Sequence, residues 1–314
     1  MKRTFIANFN LVFYGKDEEP LLSQFDTILM PALMSGEKRT SGDSKYFLLD
    51  VGIRQDEDDE YVLKGLIVKQ TVLEVKSDLD ENGRLIEKDE KYPTAPFSMF
   101  AIYLKNHRMV YVQNQKGSPS LDNFKATIKY LLNLYVDKKS KELNKELPIP
   151  ILNVVGIPMR KKLKDALEEV DKINQLCLRF YPLNGDIDYS GLFGGISKDI
   201  RGAADSKRAD LILKSPKNIN GVIDIVEKSG GTVKPIFEVT YKDKKNGKKR
   251  TGKIKDEEIA ESMELEIEDT DLESQMNNII AEGKKHSSIT YLSKDNEGIY
   301  EKNKHKIIKF ITRK

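Results

Sequence analysis

Up to Gly117 the apolar residues of this chain recur mainly at every second position, and from Ser118 to Leu143 they recur at every third or fourth. That change of period constrains the fold more than any other feature. Alternation lines one face of a pleated strand, whereas a 3.6-residue period lines one stripe of a helix. Between Thr4 and Tyr14, Phe5, Phe9, Leu11 and Phe13 fall on one face while Asn8 and Asn10 fall on the other, the pattern of a half-buried strand. Pro20 opens a short helical stretch through Leu21, Leu22, Phe25, Ile28 and Leu29, which Pro31 is expected to end. KYFLLDVGIR, YVLKGLIVKQTVLEVK, PFSMFAIYL and HRMVYVQ read as further strands of an antiparallel sheet. From Ser118 the stripe Leu121, Phe124, Ile128, Leu131, Leu132 and Tyr135 predicts a long amphipathic helix.

The polar stretch DKKSKELNKELPIP runs into Pro148 and Pro150, which cannot continue that helix. A boundary is therefore expected near residue 147. Residues 1–147 are read as a β-rich lobe closed by the long helix, and residues 148–314 as a mixed lobe in which PILNVVG, NQLCLRFYPL and ADLILK are strands between helices. The fold class expected is α+β.

A chain of 314 residues accommodates two such lobes. Its 53 cationic and 50 anionic side chains leave a formal charge of +3, which excludes a wholly basic nucleic-acid coat and directs attention to local segregation. Cys177 is the only cysteine, so no internal disulfide or thiolate zinc cluster is expected, and a reducing cytoplasm fits. The N-terminus reads as a strand rather than a signal segment, and no run approaches the roughly 18 apolar residues of a membrane span.

Charge segregates most sharply in the second half. KDKKNGKKRTGK carries seven cations, Lys242, Lys244, Lys245, Lys248, Lys249, Arg250 and Lys253, against one Asp. Asn246-Gly247 at its centre suits a type I′ turn, so a β-hairpin with a cationic tip is expected. Such a tip grips phosphates by releasing their counterions. Lys outnumbers Arg six to one, which favours backbone contact over base readout. From Asp256 to Glu273 follow ten carboxylates with no Lys or Arg. Two readings fit them: a return strand of the hairpin facing its lysines across the sheet, or an intramolecular mimic of phosphate. The terminal KNKHKIIKFITRK either extends the basic surface or closes the chain as an amphipathic end.

Asp78, Asp80, Asn82, Gly83, Leu85 and Asp89 follow the spacing of a calcium loop, yet they sit between strand-like runs, and a hairpin turn over Asn82-Gly83 accounts for the same residues. Asp186 and Asp188 precede Gly191, Gly194 and Gly195, an incomplete pattern for Mg²⁺ or phosphate binding. His107, His286 and His305 are scattered, and no nucleophile motif accompanies them. No catalytic residue and no cofactor are assigned.

The β-rich first half, HRMVYVQ leading through GSPSLDNF into the long helix, and FYPLNGDID in the second half resemble an uncharacterised bacterial family found among phage-defence genes. The resemblance carries no catalytic motif. It implies a cytosolic defence component that binds nucleic acid or a phage protein beside other components. The expectation is a non-enzymatic nucleic-acid-binding protein. The alternatives are a protein-interaction subunit or homo-oligomer, and a metal-dependent nucleotide enzyme built on Asp186 and Asp188.

Overall fold

Strand β1 (Arg3–Tyr14) organises the larger sheet, because it is paired along both edges. The computed structural model describes residues 2–311 except 16, 57, 186–198, 244–245 and 266–270. On one edge β1 meets β8 (Arg108–Gln113) and, at its end, β2 (Glu18–Pro20); on the other it meets β9 (Ile149–Gly156) over eight residue pairs. Beyond β8 the order continues through β7 (Phe97–Tyr103), β5 (Tyr61–Leu79), β4 (Ser44–Gln55) and β3 (Arg39–Ser41), every neighbour antiparallel. The distal half of β5 leaves this sheet and pairs with β6 (Leu85–Thr94) alone.

Ten of the twelve residues of β1 are buried, so the half-buried strand expected from its alternation is covered on both faces. Phe5, Phe9, Leu11 and Phe13 pack beneath α2 (Leu121–Leu143), whose Phe124 ring lies 5.0 Å from Phe100, 5.5 Å from Tyr111 and 6.2 Å from Phe9. On the opposite face Asn8 and Asn10 are buried because loop carbonyls of the smaller lobe partner them. Asn10 Nδ2 donates to Pro182 O at 2.7 Å, and Asn8 Nδ2 to Gly231 O at 3.4 Å. Polar residues on a strand thus mark a joint between lobes rather than a solvent face.

Pro31 does not end the first helical stretch. After a tight turn over Leu21–Gln24, residues Phe25–Leu29 form a wide turn, and α1 (Met30–Leu33) carries Pro31 in its first turn. A proline is tolerated there because that position has no intrahelical N–H bond to lose, and the wide turn has already displaced the ladder.

The expected boundary at 147 also falls inside one sheet, since β9 pairs with β1 throughout its length. The chain then builds the smaller lobe: α3 (Arg160–Glu168), β10 (Lys172–Phe180), the short α4 (Arg201–Ala203), β11 (Ala209–Lys214), α5 (Ile219–Lys228), β12 (Lys234–Lys242) and β13 (Lys249–Ile254). Its four strands form an antiparallel sheet in the order β11-β10-β12-β13. After α6 (Asp256–Ile259) the chain returns to the larger sheet. There α7 (Leu272–Lys284) and α8 (Ser287–Thr290) cover β7 and β8, and α9 (Lys294–Ile308) packs on the turns that follow β2. The proline-containing linker thus joins α2 to a strand of the same sheet that α2 covers. The architecture is α+β, as the change of period implies.

Helix α7 lies close to the sheet because Gly283 faces it. A Cβ at this position would overlap the Tyr103 hydroxyl and stand 2.8 Å from Val110 Cγ2. Tyr103 also donates to Ile280 O at 2.7 Å, which fixes its ring. Gly283→Ala is expected to lower stability by about 1–3 kcal/mol through overpacking. Urea denaturation monitored by circular dichroism checks this.

A candidate nucleic-acid interface

The smaller sheet has one covered face and one open face, and the two differ in chemistry. Leu176, Leu178, Phe180, Phe237 and Val239 turn inward beneath Leu163 and Leu167 of α3 and Val222, Ile223 and Val226 of α5. Alternation sends the intervening residues to the other side. There, among the described strand residues, Lys172, Arg179, Lys214, Lys242, Lys249 and Lys253 stand against the carboxylates Asp210 and Glu238, with Asp171 just before β10 meeting Lys249. Arg179 and Asp210 neutralise each other through two 2.8 Å hydrogen bonds.

The cationic hairpin forms the edge of this sheet. Its ladder closes at Lys242 opposite Lys249, and Asp243 N donates to Lys248 O at 2.9 Å. Four residues therefore connect Asp243 to Lys248, so the turn is longer than the two-residue type expected from Asn246-Gly247; Gly247 supplies the positive φ of +68°. Lys244 and Lys245 lie outside the described residues. Lys249 meets Asp171 at 3.0 Å, and on the opposite face the Arg250 guanidinium lies 5.2 Å from the Tyr241 ring centroid. Among the described residues Lys242, Lys248 and Lys253 form no ion pair, although Lys253 stands in register with Glu238. Like charges directly opposite each other weaken a ladder, a cost at the Lys242–Lys249 pair that Asp171 offsets in part through its contact with Lys249.

Among its described residues the acidic segment supplies no further anion there. The return strand is β13 itself, and Glu257, Glu261 and Glu273 engage the larger lobe. Glu257 Oε1 accepts from Leu121 N at 2.7 Å, satisfying an amide in the first turn of α2. Glu261 Oε1 lies 3.7 Å from His286 Nε2, and its other oxygen accepts from Ser288 Oγ at 2.5 Å. Glu273 bridges Arg54 and Lys64 at 2.8 and 2.7 Å. Neither earlier reading holds for these three residues or for Asp256, because β13 ends before them and each has a partner in the body of the protein.

Asp256 closes a buried cluster between the lobes. Its Oδ2 lies 3.1 Å from Lys234 Nζ, and Lys125 of α2 approaches the same pair. Burial raises the Asp256 pKa against the pull of Lys234. Burial, reinforced by the Lys234 charge, pushes Lys125 down to about 8. The unfolded chain thus binds more protons than the folded one between pH 8 and the ordinary lysine range, and this residue's contribution to stability rises with pH through that window. Lys125→Met is expected to stabilise the fold at pH 7 by about 1–2 kcal/mol, an advantage that vanishes above the ordinary lysine pKa. Denaturation midpoints of both proteins across pH 7–10.5 check the sign.

The remaining candidates are dispersed. Asp78 pairs with Lys88 at 3.0 Å, Asp89 pairs with Lys76 at 3.3 Å, and Asp80 Oδ1 accepts from Asn82 N and Arg84 N. These groups are engaged in a hairpin turn in which Gly83 takes φ +75°. Among the described residues no group of three His, Cys, Asp or Glu is arranged to hold a metal ion. Asp186, Asp188 and the glycines after them lie outside the described residues. His107 is buried in a turn at φ +60°, His286 Nδ1 accepts from Ser288 N, and His305 belongs to α9. Burial raises the Cys177 thiol pKa beside the Arg179–Asp210 fork, away from nucleophile behaviour. The terminal basic run serves the larger lobe: Lys309 meets Asp26 at 2.6 Å and Lys306 donates to Ser23 O at 2.6 Å.

Sequence reading missed Lys172, Arg179 and Lys214, which join the hairpin only through strand pairing. The alternation of Asp210, Ile212 and Lys214 with Leu211 and Leu213 carried the signal that one face of ADLILK is open. A second cleft, of about 800 Å³, lies where the lobes meet and is lined by Arg108, Arg160, Lys161 and Lys164. Arg160 is already held there by Asp224 and Glu227 at 2.6 and 2.7 Å. No protein-family model matches the chain, and no curated protein matches it either.

Proposed function

We propose that this protein binds nucleic acid along its phosphate backbone, through the cationic hairpin and the open face of the smaller sheet. The observation that carries the reading is the opposition of Lys242 and Lys249 beside Lys248 and Lys253, four exposed cations that meet one ion-pair partner, Asp171, among the described residues. That arrangement leaves a local excess of positive charge at an exposed edge, which phosphate oxygens relieve. The open face offers Thr240, Thr251, Gln175, Cys177 and Ile236 between its lysines, small polar and aliphatic groups that read no base edge. Contact is therefore sequence-tolerant. As part of the same proposal, the resemblance in element order supports a bacterial cytosolic setting among phage-defence components.

A fluorescence-anisotropy titration against a mixed-sequence DNA duplex and a single strand tests the proposal. Binding is expected at low salt, with similar affinity for unrelated sequences, and about six phosphate contacts would weaken it by roughly a thousandfold between 50 and 200 mM salt. Absence of binding at low salt ends the reading.

A further inference from the structure

The β5–β6 hairpin extends from Thr71 to Thr94 without a third strand, and almost all of it is exposed. An isolated two-stranded ribbon is marginal in water, so its two faces bear examination. One face carries ions that neutralise each other: Lys76 lies 3.2 Å from Glu74 and 3.3 Å from Asp89, and Lys91 lies 3.5 Å from Glu74. The other face, by register, pairs Leu73 with Tyr92, Val75 with Glu90, Ser77 with Glu87 and Leu79 with Leu85. Leu73, Leu79, Leu85 and Tyr92 are each at least half exposed on it. Its only ladder charges are the carboxylates Glu87 and Glu90, with Lys88 at the bulge reaching Glu90 at 3.5 Å. The whole ribbon holds seven carboxylates against four cations.

We infer that this ribbon is a docking arm and that its occupant is a second copy of the chain, whose open basic sheet face receives the arm's apolar, acidic face. The two surfaces are complementary. The arm offers leucines and a tyrosine beside carboxylates, and the sheet offers Ile212, which is 47 % exposed, and Ile236 between Lys214, Lys253 and Lys242. Two arms stacked face to face would oppose Glu87 and Glu90 of one copy to the same residues of the other, which disfavours the symmetric alternative. An arm of nine residues is about 30 Å long and about 10 Å wide, so one face covers roughly 300 Å². That is well below the roughly 800 Å² per partner of a standard stable interface, so the association is weak and reversible. Because the arm and nucleic acid meet the same lysines, each excludes the other. The arm contact requires only the charge of the sheet face and stands or falls independently of the nucleic-acid proposal.

Sedimentation velocity of the full chain without nucleic acid, over a wide concentration range at low and high salt, tests the inference. The expected result is a weight-average mass that rises with concentration at low salt and returns to the monomer at high salt. Glu87→Lys with Glu90→Lys in one chain, and Lys214→Glu with Lys253→Glu in another, should each leave monomers. An equimolar mixture of the two should associate again. Glu87, Lys214 and Lys253 are exposed and Glu90 is half-buried, and circular dichroism of each variant verifies the fold. A wild-type monomer at every concentration in low salt overturns the inference, as does association that persists in both variants or fails to recover in the mixture. Duplex DNA added to the wild type should release the oligomer; an oligomer that binds DNA without dissociating overturns the shared site.

Discussion

Replacing Asp256 by Asn should lower stability by about 1–2 kcal/mol, less than the usual cost of breaking a buried pair because the carboxylate's own burial, which raises its pKa, is relieved. The carboxylate is the nearest anion to two ammonium groups that arrive from different lobes, Lys125 on α2 and Lys234 on β12, and its contact with Lys234 is 3.1 Å. Lys234 and Asp256 side chains are only 17 % and 14 % exposed, so water cannot take over the lost interaction. Removing one member of a buried pair leaves an uncompensated charge, which typically costs about 3–5 kcal/mol. Here the two lysines also repel each other, so the Lys125 pKa should fall further and the variant should regain stability as pH rises above 8. Asp122 provides the control, since it lies 4.0 Å from Lys234 and is 80 % exposed; Asp122→Asn should change stability by less than about 0.5 kcal/mol. Thermal or urea unfolding of both variants checks the contrast. Combining Asp256→Asn with Lys125→Met should recover part of the loss, because the repulsion then has only one member.

Residue periodicity carried most of the strand and helix content, because alternation and 3.6-residue stripes are local properties. The stripe from Leu121 to Tyr135 became α2, and each alternating apolar run before Gly117 became a strand. What periodicity could not carry was the partner of each element. Asn8 and Asn10 look solvent-facing in a sequence, since nothing nearby announces that Gly231 and Pro182 will bring carbonyls to them. The boundary at 147 failed for the same reason: Pro148 and Pro150 stop a helix, yet β9 continues the sheet by pairing with a strand more than a hundred residues earlier.

The candidate site was half legible. The hairpin's lysines are contiguous in sequence and were found there, whereas Lys172, Arg179 and Lys214 share their face only through registers with β11 and β12. The acidic segment shows the opposite failure. Adjacency in sequence suggested that its carboxylates answer the lysines, but β13 occupies the return position, and Glu257 and Glu273 reach α2, Arg54 and Lys64 instead. Among the described residues Lys242, Lys248 and Lys253 are therefore left without an ion pair, and this is the basis of the functional proposal.

The most direct test of that proposal compares the salt dependence of DNA binding in the wild type with that of a chain carrying Lys242→Ala, Lys248→Ala, Lys249→Ala and Lys253→Ala. Each lost phosphate contact removes about 0.9 from the slope of log affinity against log salt, so four contacts should flatten it by roughly 3.6 and lower affinity at 50 mM salt by more than about a hundredfold. The four side chains are exposed, and the variant should unfold at the wild-type midpoint. The account predicts a flatter slope with an intact fold and a loss that is equal for unrelated sequences. An unchanged slope in the folded variant would contradict it.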